Sequence, residues 1–519
     1  MAASQEFTTT SPSVTTKPSI TTNPLQPSDC PSLPQSPILM SESGPKSPLM
    51  RVMTPIASPM RKTLATMHGY LEEVGHITKL DPHDAWLPIT ESRNGNAYYA
   101  AFHSLSSGIG FQALVLPLAF VSLGWVWGVA CLSFIFAWQL YTLWLLIQLH
   151  ESEDGTRYSR YLRLSMAAFG KRTGKLLALF PIMYLSGGTC VTLIMVGGGT
   201  MKIFFEITHP GGANHPLTTI EWYLVFTGAA IILAQLPNLN SIAGVSLIGA
   251  ITAISYCTII WITSVSKGKP MDINYGPSSI MLKSQEAKIR SILDAIGIIV
   301  FAFRGHNLAL EIQGTMSTSK KQQSCIPMWQ GVQFAYTIIG LCLFPLAIGG
   351  YWAYGNLIPA NGGMLRALQE YHGHDLPKFL LGITSLLVVI NSLSSFQIYA
   401  MPVFDNLEFR YISTMNKPCP RWVRTAIRVL FGCLAFFISV ALPFLPSLAG
   451  LMGGIAILVT LAYPCLMWAV IKKPHRFSMM WHLNWGLGCF GIFLSALLVT
   501  GAIWSIVIMG IEVHFFKPQ

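Results

Sequence analysis

A chain of 519 residues that is 52% hydrophobic and only 11% charged, with a mean hydropathy of +0.50, does not read as a soluble globular domain, for which about 25% charged residues would be usual. It reads as a membrane protein. The formal charge of +11 does not signal a nucleic-acid partner, because the lysines and arginines lie mainly in short connections between apolar runs and act there as topology signals.

Residues 1–96 are rich in Ser, Thr and Pro, a composition too poor in apolar side chains to offset the entropy of ordering. They predict a disordered cytosolic tail, in which Ser47, Thr54 and Ser58 stand before prolines among basic residues as candidate phosphorylation sites. The opening MAASQEFTTTSPSV has no apolar signal-peptide core, so the first span serves as the insertion signal. Most of the ten cysteines fall inside spans, and no disulfide framework follows from them.

Eleven apolar stretches follow, each near the ~20 residues a membrane helix needs, at 97–121, 124–149, 174–201, 220–237, 240–265, 291–315, 328–353, 378–402, 425–443, 446–471 and 483–511. Basic residues cluster after the second span (Arg157, Arg160, Arg163), the sixth (Lys320, Lys321), the eighth (Arg410, Lys417, Arg421) and the tenth (Lys472, Lys473, Arg476). By the positive-inside rule these connections and the N-terminus are cytosolic, and the C-terminus is extracellular. The 266–290 connection, with Lys267, Lys269, Lys283, Lys288 and Arg290, runs against that pattern.

Two spans are interrupted. The first carries FHSLSSGIGFQALVLP, with Ser106, Ser107, Gly108 and Gly110 weakening the helix, and the sixth carries FAFRGHN, with Gly305 between a charge and an imidazole. Freed backbone groups are tolerated in a bilayer only where protein or a watery cavity receives them. Matching breaks in the first and sixth spans predict an all-α membrane fold with an inverted five-plus-five repeat, 97–265 and 291–472, joined by an extracellular 266–290 and followed by an eleventh helix in 473–519. Half-helix N-termini at such breaks attract anionic groups.

Arg304 sits near the middle of the sixth span, where an arginine is unfavourable by about 2.5–3.5 kcal/mol even on lenient scales. Three roles stay open: a bidentate receptor for a substrate carboxylate, a fixed cation where a sodium-coupled carrier would hold an ion, or a structural arginine locked by carbonyls or Glu311 in an inner gate. His306 and His103 flank the breaks and are candidates to sense or carry a proton. Asn391, Ser394 and Ser395 form a polar patch in the eighth span that either faces the cavity or bonds to neighbouring helices. No Walker, GxSxG or HExxH arrangement is present, so neither an enzyme, a metal nor a cofactor is expected.

Five ordered segments resemble the plant amino acid/auxin permease family and its lysine–histidine transporter-like branch: FHSLSSGIGFQALVLPLAFVSLGW, FRGHNLALEIQGTM, GYWAYGN, SSFQIYAMPVFDNLE and FSMMWHLNWG. The resemblance covers nearly all of the chain after the tail. It implies an eleven-span LeuT-type carrier that brings amino acids into cells with protons across the plasma membrane. It places Gly110 in the first break and Phe303, Gly305, His306 and Asn307 in the second. The chain departs from the family pattern at Gln112, in place of a second glycine, at Arg304, in place of a small residue, and at Ile298, in place of an acidic residue, with Asp294 one turn earlier.

The expectation is therefore a proton-coupled amino acid symporter working by alternating access. Ser107, Gly108, Gly110, Phe111, Gln112, Phe303, Arg304 and Gly305 would bind substrate, and Arg304, His306, Asn391, Ser394 and Ser395 would serve coupling. The expected partners are an amino acid, a proton and the lipid bilayer. The alternatives are an auxin-like carboxylate carrier of the same fold and a non-transporting nutrient receptor with a signalling tail.

Overall fold

The computed structural model describes Leu87 and residues 94–508, apart from 154, 210–216, 237–238, 272, 277–283, 319–322, 360–361 and 443–448. The predicted tail, with Ser47, Thr54 and Ser58, lies outside the described residues except at Leu87 and 94–96. So does the end of the chain after 508.

Asn96 caps α1 (Ala97–Gly108), its side chain accepting from the Tyr99 N–H at 3.0 Å. The helix stops at Ile109 and Gly110, both extended, and α2 (Phe111–Leu149) begins directly after. α2 is two helices merged across Gly124, whose φ of +69° breaks the helical path. After α3 (Tyr161–Phe169) come α4 (Lys171–Thr208), α5 (Thr219–Leu233), which starts in a reciprocal Thr218–Glu221 capping box, and α6 (Leu239–Lys267). Ser284 caps α7 (Gln285–Ala302), Phe303 to Gly305 leave the helix, and α8 (His306–Gly314) resumes it. The rest are α9 (Cys325–Tyr354), α10 (Gly363–His372), α11 (Lys378–Met415), α12 (Arg421–Ala441), α13 (Ala449–Ile457), a π-helical turn at Leu458–Ala462, α14 (Tyr463–Lys472) and α15 (Met479–Ile508). Among the described residues nine helices are long and apolar enough to cross a membrane, and Thr219–Leu233 is a shorter apolar one.

The packing relates the two halves by a swap of partners. α1, in the first span, packs against α9 in the seventh and α6 in the fifth; α7, in the sixth, packs against α2 in the second and α13 in the tenth. Exchanging the two halves turns one set of partners into the other, which is what a two-fold axis in the membrane plane requires. α4 and α11, the third and eighth spans, pack along each other. Small residues permit the closest crossings: a methyl on Gly453 of α13 would lie 2.1 Å from the Gly297 carbonyl oxygen of α7.

Three expectations need correction. α4 and α11 each run 38 residues, about 57 Å at 1.5 Å per residue, well past the predicted 174–201 and 378–402. Neither Pro181 nor Pro402 stops its helix, and α11 ends only where Asn416 turns left-handed at φ +48°. α7 starts at Gln285 rather than 291, so Lys288 and Arg290 stand on its first turns instead of in a loop. Of the other basic residues of 266–290, Lys283 lies outside the described residues, and Lys267 and Lys269 have local partners. Lys269 lies 4.9 Å over both the Tyr275 and Trp352 rings, and Lys267 donates to the Asp375 carbonyl at 3.1 Å. The short helices α3 and α10 lie in connections where no helix was expected.

Candidate functional site

The two breaks meet, and Arg304 fills the place where they meet. Its side chain is only 2% exposed. One terminal nitrogen donates to Gln112 Oε1 at 2.6 Å and the other to Thr189 Oγ1 at 3.2 Å, while Nε has no partner. Three rings surround the guanidinium, Phe111 and Phe301 at 4.7 Å and Tyr399 at 4.8 Å. Desolvated cation–π contacts are each worth about 2 kcal/mol, enough together to hold a cation that is unfavourable by several kcal/mol in isolation. None of these groups neutralises it. Among the described residues no carboxylate pairs with Arg304. Among the described residues neither Glu311 nor a backbone carbonyl bonds to Arg304; its partners there are neutral side chains and aromatic faces.

The first break is held open by side chains from three helices. Gln112 donates back to the Gly108 carbonyl at 3.0 Å, so its amide joins the end of α1 to Arg304. Tyr256 of α6 donates to the Gly110 carbonyl at 2.9 Å, and Tyr399 of α11 to that of Ser107 at 2.8 Å. Asn391 donates to the Gly249 and Ile109 carbonyls at 3.0 and 3.4 Å, and Ser395 to the Ser106 carbonyl at 2.9 Å. Ser394 donates to the Val245 carbonyl at 2.8 Å and lies 3.1 Å from the Ser106 hydroxyl. The eighth-span patch therefore receives the unwound backbone of the first span. This answers the accounting that any interrupted membrane helix must satisfy.

At the second break Gly305 has φ +126°, a conformation that L side chains rarely adopt, and a methyl there would stand 3.2 Å from Ser107 Oγ. Ser107 itself donates to the Ser104 carbonyl at 3.2 Å. Gly110 needs space rather than freedom: its φ of −154° is ordinary, but a methyl would meet Gln112 Oε1 at 2.8 Å and Arg304 Nη2 at 3.3 Å. A methyl on Gly108 would run into Ile339 at 2.5 Å.

Two predicted residues turn away from this centre. The Phe303 ring packs edge-on to Phe136 of α2 at 5.3 Å. His306 Nε2 lies 2.9 Å from the Gln139 carbonyl and 3.1 Å from Thr142 Oγ1, with Nδ1 unpartnered, so the imidazole anchors α8 to α2. His103 meets Ser246 at 2.8 Å. Asn307 donates to Ser186 at 2.9 Å. Sequence reasoning missed Thr189, Tyr256, Phe301 and Tyr399. Only Tyr399 carried a signal: it follows Asn391 and Ser395 at four-residue steps, which places all three on one helix face.

Removing the Tyr399 hydroxyl tests the tie across the break. Tyr399→Phe keeps the ring over Arg304 but leaves the buried Ser107 carbonyl without its donor, a loss of about 1–3 kcal/mol. Apparent substrate affinity is expected to fall about tenfold, read as KM in uptake assays.

Inverted repeats, two broken helices abutting at mid-fold and a buried cation between them define a carrier of the broken-helix secondary transporter class. Residues 93–508 match the family model described as transmembrane amino acid transporter protein, and the chain belongs to that family, in its lysine histidine transporter-like branch. It is 58% identical over 90% of its length to Lysine histidine transporter-like 8 of Arabidopsis thaliana, covering 90% of that protein. It is 45% identical over 84% of its length to Lysine histidine transporter-like 7 of the same plant, covering 90% of it. A solved nucleobase-cation-symport-1 family transporter, in a closed conformation with bromovinylhydantoin bound, superposes over 83% of this chain and 94% of its own at a TM-score of 0.50 and 12% identity, a likeness of fold alone. The chain is thus a multi-pass membrane transporter and not an enzyme.

Proposed function

We propose that this protein imports amino acids together with protons across the plasma membrane by alternating access, with eleven crossings, a cytosolic N-terminus and an extracellular C-terminus. The observation that carries this reading is Arg304, a fully buried guanidinium at the meeting of both breaks with no carboxylate partner among the described residues. A buried cation without a counter-ion is a receptor for an anionic group, and an amino acid supplies a planar carboxylate that a guanidinium binds bidentately. The first turn of α2 adds N–H groups without intrahelical acceptors beside it. Ser107, Gly108, Gly110, Phe111, Gln112, Phe303 and Gly305 form the two breaks around that point. Asn391, Ser394 and Ser395 hold the first break as it opens and closes, and His306 holds the second against α2. The names of the relatives support an amino acid as the substrate.

Arg304 also supplies a fixed positive charge, which supports coupling without sodium. Purified protein in liposomes should accumulate amino acid under an inward proton gradient, more strongly as the outside is acidified and equally with or without sodium. Failure to accumulate any amino acid, or a requirement for sodium, contradicts the reading. The same arginine suits an acid that lacks an amino group, as an auxin-like carrier would take. Competition separates the two, since zwitterions block uptake in the first case and indole acids in the second. The receptor alternative rests on residues 1–96, nearly all of them outside the described residues.

A further inference from the structure

Two turns beyond Arg304 on the same interrupted span, the helix carries a second ionisable group that plays no part in the site described above. Glu311 of α8 is 2% exposed, and its Oε2 is buried with no hydrogen-bond partner. Asp405 of α11, 3% exposed, holds Arg160 at the N-terminus of α3 through both carboxylate oxygens, the second contact being 3.3 Å from Arg160 Nη2. α8 packs against α11 and α3, which brings Glu311 into the neighbourhood of Asp405 and Arg160. Arg160 therefore stands with two buried carboxylates among the described residues, and it is engaged by one of them. Two carboxylates ionised together in a water-excluded site are unfavourable, so the pair retains a proton until the site opens to water.

Other titratable groups around α8 have partners of their own, among them Arg157, which donates to the Met316 carbonyl at 2.9 Å just past the end of α8. His103 of α1 meets Ser246, and Tyr141 of α2 donates to Asn484. On α3, Tyr161 donates to the Val459 carbonyl and Arg163 lies over the Phe409 ring; on α11, Tyr399 donates to Ser107, and Glu408 pairs with Arg424 and Arg428. The π turn carries no titratable group.

We infer that Glu311 is the coupling-proton site, loaded as the neutral acid and discharged as the carboxylate next to the Asp405–Arg160 pair. This inference rests on the proton-coupled reading above. An amino acid zwitterion moved together with one proton on Glu311 carries one net positive charge per cycle, so transport coupled at this site is electrogenic. On discharge the O–H bond of Glu311 breaks, the proton goes to cytosolic water, and the electron pair stays on the carboxylate. The neighbouring basic connection, with Arg157, Arg160 and Arg163, places this site toward the cytosolic side.

The test uses full-length protein in liposomes and one transported amino acid, comparing wild type, Glu311→Gln and Glu311→Asp. Wild type should concentrate substrate up to about tenfold per pH unit of inward gradient, since one unit is one decade of driving force per proton. Glu311→Gln, fixed in the neutral form, should exchange labelled for unlabelled substrate at a pH-independent rate while its inside-to-outside ratio stays at one. Glu311→Asp should keep gradient-driven accumulation with a displaced pH optimum. Gradient-driven accumulation in Glu311→Gln with a proton-driven wild type overturns this inference alone. Loss of exchange in both variants, with substrate binding lost as well, assigns Glu311 a structural role and overturns it too. A wild type indifferent to the gradient overturns the proton-coupled reading and this inference with it.

Discussion

Arg304→Ala should lower uptake of a carboxylate-bearing substrate about 100-fold or more without lowering the thermal stability of the protein. The first half follows from the charge. Truncating one partner of a buried, hydrogen-bonded ion pair typically loses about 2–5 kcal/mol, and in the proposed mechanism the second partner is the substrate. The second half separates a receptor from a prop. A guanidinium held, among the described residues, by Gln112, Thr189 and three rings and by no carboxylate carries a desolvation penalty in the empty protein, so its removal relieves that penalty while it opens a cavity. The two effects oppose, and the melting temperature should move little in either direction. Arg304→Lys keeps the charge but not the fork that meets both Gln112 and Thr189, so it should restore less than about a tenth of the lost activity. Initial-rate uptake normalised to protein at the cell surface, with thermal unfolding of the purified variants, checks both halves. A large fall in melting temperature accompanying the loss of uptake would make Arg304 a structural residue.

Gly305→Ala should reduce transport about tenfold to 100-fold, by a different route. At φ +126° an alanine is strained, by about 1–3 kcal/mol for such a backbone position. Its methyl would also sit 3.2 Å from Ser107 Oγ, across the junction of the two breaks. The chain can relieve this only by changing the geometry at 303–305, which moves Arg304. Gly110→Ala is the informative comparison. Its backbone is unstrained, and its methyl presses on the Gln112–Arg304 contact instead, so KM should rise with the maximal rate largely retained. Gly305→Ala should lower the maximal rate as well. Concentration dependence of uptake distinguishes the two patterns, and identical effects from both variants would remove the distinction between a hinge and a contact.

Much of this architecture was legible because membrane helices leave strong, long apolar signals and because breaks within them are conspicuous. FHSLSSGIG and FRGHN marked both interruptions to within a few residues, and their places in the series implied the repeat that the partner exchange of α1 and α7 displays. Helix ends were less legible. A span is bounded by hydrophobicity but a helix by its caps, so α4 and α11 continue beyond the apolar stretch into polar sequence. α3 and α10 escaped because short amphipathic helices in connections have no apolar run. At the site, Arg304, Gln112 and both breaks could be named from sequence, but Thr189 and Tyr256 come from spans whose facing is fixed only by packing. The role of Asn391, Ser394 and Ser395 was open between cavity and helix contact. Geometry shows their side chains bonded to carbonyls of the first break and of α6. Glu311 was noted only as a candidate partner for Arg304, because nothing in a single sequence brings it beside Asp405.

In the proposed mechanism Arg304 receives the substrate's carboxylate. The most direct test of this step is substrate-evoked current in voltage-clamped cells expressing wild type or Arg304→Ala, comparing amino acids with the amines that lack only the carboxyl group, at acidic and neutral outside pH. The account predicts inward currents in wild type for some amino acids, larger in acid and unaffected by sodium, none for the matching amines, and loss of the amino acid currents in the variant. Equal currents for amino acid and amine in wild type, or undiminished amino acid currents in Arg304→Ala, would contradict it.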